Sequence, residues 1–194
     1  ADVVVKMPYG LSSFDQLEKA TGYEKAELRR IIDGLTAKGL VMDLWLNGEY
    51  HYVPSPMVIG IFEFTMMRTD GGADFPRLAR RFREYLAGKD SFIAANAGHG
   101  ERVSVLRTIP HAGTVADQPH IEVLDHEKAR ELLDRADGAI VGTCSCRHEK
   151  LHLGEKRCDV PLDSCLSFGT EASYQVRRGL GKPVPKAQAR DLLQ

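Results

Sequence analysis

No cysteine stands before Cys144 or after Cys165, so all four in the 194-residue chain fall within one short stretch. A disulfide framework spreads its cysteines to staple distant loops. Clustering of this kind argues instead for metal ligation in a reducing compartment. Long apolar runs are missing too: the longest lies around Met57-Val58-Ile59-Gly60-Ile61-Phe62. A membrane span needs about 18 or more such residues, so no membrane partner is expected. The opening Ala1-Asp2-Val3-Val4-Val5-Lys6 lacks the charged, apolar and cleavage regions of a signal peptide. The sequence is therefore read as cytoplasmic.

Positive charge is not in excess either. Lys and Arg number 26 against 27 Asp and Glu, a formal net charge of −1. Duplex DNA binders draw much of their affinity from neutralising phosphates, so global charge gives a nucleic-acid partner no support. Neither a P-loop nor a dinucleotide fingerprint occurs, and Gly98-His99-Gly100 alone is too little. His99, His111 and His120 are scattered among Gly and Pro residues. Asp159, Asp163, His148 and His152 lie near the cysteines but form no acid/base or nucleophile set. An electron-transfer protein or oxidoreductase component is expected rather than a free-standing catalyst.

What is present, 43% hydrophobic and 27% charged residues, is the balance of a soluble globular protein. The expected fold class is α+β, in three parts. Residues 1–54 read as a winged helix-turn-helix. Ser12 or Ser13 caps a helix over Phe14 to Ala20, which Thr21-Gly22 ends. A second helix runs from about Glu24 to Lys38, with Leu28, Ile31, Ile32 and Leu35 at helical spacing. The runs Leu40 to Leu46 and Glu49 to Val53 flank Asn47-Gly48, the turn pair that permits two positive φ angles, and so predict a hairpin wing.

Residues 55–100 read as a helical connection, with helices over Met57 to Arg68 and Phe75 to Ala87. Arg77, Arg80, Arg81 and Arg83 of the second helix are expected on a solvated face. Residues 101–194 read as the cysteine-bearing metal-centre unit. Strands are expected over Arg102 to Arg107, Ile121 to Leu124 and Ala139 to Gly142, the last running straight into Cys144. Asp125 is expected to cap a helix from His126 to about Arg135. Further helices are expected over Glu171 to Arg178 and Lys186 to Leu193, parted by Gly179, Gly181, Pro183 and Pro185.

Cys144 and Cys146 are separated by one residue, Cys158 and Cys165 by six. Structural zinc sites usually bring two pairs, each two to four residues apart, which let sulfurs converge on one small ion. The wider spacing here suits an iron–sulfur cluster, whose ligands sit on separate irons. Zinc is the alternative. His148 and His152 lie four residues apart, as in a helical zinc pair, and read equally as donors to a cluster sulfur or as exposed side chains. Arg147, beside a ligand, would offset the negative charge of a thiolate-bound cluster.

The segment Cys144-Ser145-Cys146-Arg147-His148, with Cys158-Asp159-Val160-Pro161-Leu162-Asp163-Ser164-Cys165-Leu166-Ser167-Phe168-Gly169, resembles a group of iron–sulfur proteins of anaerobic bacteria and archaea. Gly39-Leu40-Val41, Gly60-Ile61-Phe62-Glu63-Phe64 and Arg177-Arg178-Gly179 extend the resemblance over nearly the whole chain. It implies a [4Fe-4S] cluster on Cys144, Cys146, Cys158 and Cys165, electron transfer in anaerobic redox metabolism, and a redox protein partner. It also implies a cysteine-rich ferredoxin-like tail beyond Gln194, so the chain is read as a fragment or a shortened relative. The main alternative is a metal- or redox-responsive winged-helix transcription regulator. Its reading helix, however, carries Lys25, Arg29, Arg30 and Lys38 against Glu24, Glu27 and Asp33, and the wing tip Asn47-Gly48-Glu49 is not basic. Protein contact or homodimerisation through this module is therefore expected ahead of DNA binding.

Overall fold

The computed structural model describes residues 2–87, 126–136 and 138–192, which form an α+β fold. The first unit follows α1 (Asp2–Lys6), β1 (Ser12–Ser13), α2 (Phe14–Thr21), α3 (Lys25–Ala37), β2 (Val41–Leu46) and β3 (Glu49–Pro54). Local chemistry sets the helix ends. Ser13 Oγ accepts from the Gln16 amide while Gln16 Oε1 accepts from the Ser13 amide, a reciprocal cap at the start of α2. Gly22, at φ 71°, closes the same helix by donating to the Glu18 carbonyl. The Glu24 carboxylate caps α3.

Strands β2 and β3 pair antiparallel across Asn47 and Gly48, at φ 52° and 87°, and β1 adds to the other edge of β3. Leu17, Leu28, Ile32 and Val41 are fully buried between the helices and this sheet, with Phe14 edge-on to Tyr52. Burying such side chains contributes about 1.5–3 kcal/mol each.

The helix expected over Met57 to Arg68 is not continuous. Residues 57–61 leave helical geometry, with Val58 at φ −140° and ψ 126°, and α4 spans only Phe62–Met66. The apolar pattern is right but its backbone is drawn into a bend. The Glu63 carboxylate accepts the Gly60 amide at 2.7 Å, and Gly60 sits so close to Pro56 that a Cβ would meet its ring at 3.0 Å. Helix α5 (Phe75–Ala87) then packs Phe75, Ala79 and Phe82 against Phe62 and Met66. Its arginines are not all on a solvated face: Arg83 bonds Glu149 and Glu155, while Arg81 pairs with Glu84.

The strands expected over Arg102 to Arg107 and Ile121 to Leu124, and the Asp125 cap, lie outside the described residues. Beyond them come α6 (His126–Arg135), β4 (Ala139–Thr143), α7 (Ser145–His152), β5 (Asp163–Phe168), α8 (Thr170–Arg177), β6 (Gly181–Val184) and α9 (Lys186–Asp191). Strand β4 is central, antiparallel to β5 on one side and β6 on the other. The segment between the last two helices, expected as a connection, is thus an edge strand. Pro183 is tolerated there because an edge strand has one side free of ladder partners. Leu133 of α6 and Ala189 of α9 cover Ala139 on one face of this sheet.

On the other face, Tyr174 and Leu180 pack with Phe64, Met67, Met42 and Leu44, so β2 of the first unit shares a core with the cysteine-bearing unit. Asp43, nearly buried, accepts from Arg178 at 2.6 Å, and Arg177 donates to its backbone carbonyl. No helix among the described residues is long and apolar enough to cross a membrane.

Candidate metal centre

The four cysteines hang on the end of the central strand. At the C-terminal end of β4, a register shift falls between Gly142 and Thr143, Thr143 Oγ1 bonds Asp163, and the Cys144 amide donates to the Leu162 carbonyl at 2.6 Å. The chain then turns directly into α7. Cys144 is its N-terminal cap residue, with extended backbone, and Cys146 lies within its first turn. Cys158 sits on the connection that returns to β5, and Cys165 lies on β5 opposite Gly142, two residues before Cys144. Cys144 and Cys146 are thus thiol neighbours at the start of α7, Cys158 lies beside Arg147 on the returning loop, and Cys165 is placed by its backbone on the neighbouring strand at this corner of the fold.

Arg147 organises that corner. Its Nη1 lies 3.3 Å from Cys144 Sγ and 3.2 Å from Ser164 Oγ, and it lines one cavity with Cys158. Ser164 Oγ in turn donates to the Pro161 carbonyl, tying the returning loop to the helix. The electrostatics follow from these contacts. A hydrogen bond from the Cys146 thiol, then the Arg147 guanidinium, hold Cys144 well below the ordinary thiol range despite its burial. The same bond and burial push the Cys146 thiol up. The Arg147 guanidinium lowers Cys158, which is exposed, as is Cys146; Cys144 is buried and Cys165 half-buried.

Among the described residues, no three His, Cys, Asp or Glu side chains close around a point where one ion would sit. The donor chemistry still suits a larger thiolate-bound group. Cys144 and Cys146 are thiol neighbours, Cys144 is biased toward thiolate, and Arg147 Nε is a buried N–H without a partner beside them. An anionic cluster would take that hydrogen bond, and Cys144, Cys146, Cys158 and Cys165 are the residues that would hold it.

His148 and His152 do not join the cysteines. They stand on the face of α7 turned toward α4 and α5, where His148 is buried rather than exposed. The Met66 carbonyl can only accept, so His148 Nδ1 donates to it, at 2.6 Å. That leaves His148 Nε2 to accept from His152 Nε2 at 2.9 Å, while Phe75 stacks on the His152 ring. The four-residue spacing does place both rings on one face. The partner on that face is a carbonyl far upstream in sequence.

Beside Arg147, cationic residues that the sequence reading passed over line the exposed side of the corner. Arg147, Lys150, Lys156 and Arg157, with Glu155, surround a cavity of about 360 Å³ at Cys158. The signal was there in the basic pair Lys156-Arg157 directly before Cys158. Glu63 is the other: it bears electrostatically on Cys146 from the Phe62-Glu63-Phe64 segment. Comparison with protein-family models, with curated proteins and with solved structures finds no match for this chain.

Proposed function

We propose that the chain is an iron–sulfur protein in which Cys144, Cys146, Cys158 and Cys165 hold one cluster, of the [4Fe-4S] type, for electron transfer or redox sensing. The observation that carries this reading is the Arg147 guanidinium bonded to the Cys144 thiol at 3.3 Å, with its Nε a buried N–H without a partner. A cation beside a thiol favours its thiolate form and offsets the charge of what that thiolate binds. The cluster supplies one-electron chemistry when bound; the protein supplies four sulfurs, a compensating charge and a buried N–H. The likeness of the cysteine segment to iron–sulfur proteins of anaerobes supports the same reading.

The first unit is proposed to contact protein rather than DNA. Arg29, one of the cations of α3, lies 3.8 Å over the Phe14 ring and donates to Tyr52 Oη. Anaerobic reconstitution with iron and sulfide tests the cluster. The expected product is brown, absorbs broadly near about 400 nm and contains about four irons and four sulfides per chain. A colourless protein that takes up one zinc per chain and no iron refutes the cluster reading and replaces it with a structural zinc site.

A further inference from the structure

We propose that the cationic basin at Cys158 is a docking surface for the carboxylate-rich face of a small electron-transfer protein. This rests on the redox reading above and names the partner chemistry of that same site. Four cations, Arg147, Lys150, Lys156 and Arg157, line the basin, with Glu155 as the one carboxylate. Glu155 is already matched twice, by Arg83 at 3.0 Å and Lys150 at 2.9 Å, so it does not neutralise the rest. In a chain of net charge −1, this is a local concentration of positive charge.

Its position gives the charge a purpose. Cys144 is buried, whereas Cys158 is exposed on the floor of the basin, so a partner seated there lies against the solvent side of the cysteine corner. Lys156 is held in place by a hydrogen bond from its ammonium to the Cys158 carbonyl. Lys156 and Arg157, directly before the exposed Cys158, steer an acidic surface toward it, and such steering accelerates encounter by about 10- to 1,000-fold at low salt.

The test has two arms, both on the full chain, and neither needs the cluster. In the first, the metal-free protein reacts at fixed pH with the dianionic disulfide 5,5′-dithiobis(2-nitrobenzoate) or the neutral 4,4′-dithiodipyridine, and labelling at Cys158 is located by mass spectrometry. Taking the ratio of the two rates cancels the thiolate fraction. Lys150→Glu/Lys156→Glu/Arg157→Glu is expected to lower that ratio at least tenfold at low salt, and Lys156→Gln/Arg157→Gln to lower it by less. The milder variant serves if the charge reversal unfolds the chain. A ratio changed less than twofold by both variants overturns the proposal.

In the second arm, an acidic flavodoxin and basic cytochrome c are titrated onto the chain at low and high salt. Binding of flavodoxin alone, lost in the variants and at high salt, is the expected result. A dianion effect without flavodoxin binding overturns docking in favour of a small-anion site. Failure to reconstitute a cluster refutes the functional reading by itself, while these two arms still decide the basin.

Discussion

At the scale of single residues, the clustering of the four cysteines was visible in the sequence, and Arg147 stood out because it adjoins Cys146. Its position beside both Cys144 and Cys158 was not legible, since Cys158 returns there only through a loop. The histidines illustrate the limit. Spacing placed them on one helix face, but which element faces them depends on α4, whose Met66 carbonyl no local pattern reveals. The Arg147 guanidinium makes a pH-dependent prediction. In metal-free protein, Cys158 is lowered first by Arg147, whereas Cys144 is lowered first by Cys146 and only then by Arg147. Thiolate is the reactive form, and removing the cation raises the pH at which it appears. In Arg147→Gln, the alkylation profile of Cys158 should move to higher pH, with its rate at pH 7 falling about threefold or more. Cys144 should move less. Mass-resolved alkylation with iodoacetamide across pH 5–10 reads both, and an unmoved Cys158 profile would show that Arg147 does not act on it.

At the scale of elements, the strongly periodic segments were read well. The α3 helix ends within a residue of expectation, α5 spans the expected Phe75 to Ala87, and the Asn47-Gly48 hairpin stands where its turn chemistry put it. Elements fixed by long-range partners were not. The strand β6 carries Gly181 and Pro183, which read as a connection, and only β4 as a neighbour makes it a strand. The bend before α4 likewise depends on Glu63 reaching back to Gly60. Close packing of β4 on β6 is the feature that fixes the sheet. A Cβ at Gly142 would lie 2.5 Å from the Leu180 carbonyl oxygen and 2.7 Å from Met67 Cε. The methionine tip can turn aside, but the carbonyl belongs to backbone and cannot. Gly142→Ala is therefore expected to cost about 2 kcal/mol or more by displacing β6 from β4. Urea denaturation measures the cost. The same variant should loosen the cysteine corner, since Cys144 is two residues on and Cys165 is directly across.

At the scale of the whole molecule, the three-part reading of the sequence missed that its first and last parts share a core. Met42 and Leu44 of β2 pack with Tyr174 and Leu180, and Asp43 between them is bound by Arg178. The hairpin was legible from its Asn47-Gly48 turn; that Met42 and Leu44 meet Tyr174 of α8, with Asp43 between them bound by Arg178, required the folded chain. Asp43 is 10% exposed and Arg178 22%, so solvent weakens the pair less than at a free surface. Breaking it leaves two arginines facing a neutral group. Asp43→Asn should cost about 1–3 kcal/mol, below the figure for a fully buried pair because the arginines reach water. A shared core also means that the units unfold together. The single tryptophan, Trp45, lies on β2 near the hairpin tip, while the cysteines report the opposite unit. Trp45 fluorescence and the labelling of buried Cys144 should therefore follow one urea transition with the same midpoint in the wild-type chain. In Asp43→Asn the common midpoint should fall. Separate midpoints in the wild-type chain would mean that the Asp43 anchor and the Phe64–Tyr174 contact do not couple the units, and the cysteine corner would then be stabilised by its own sheet alone.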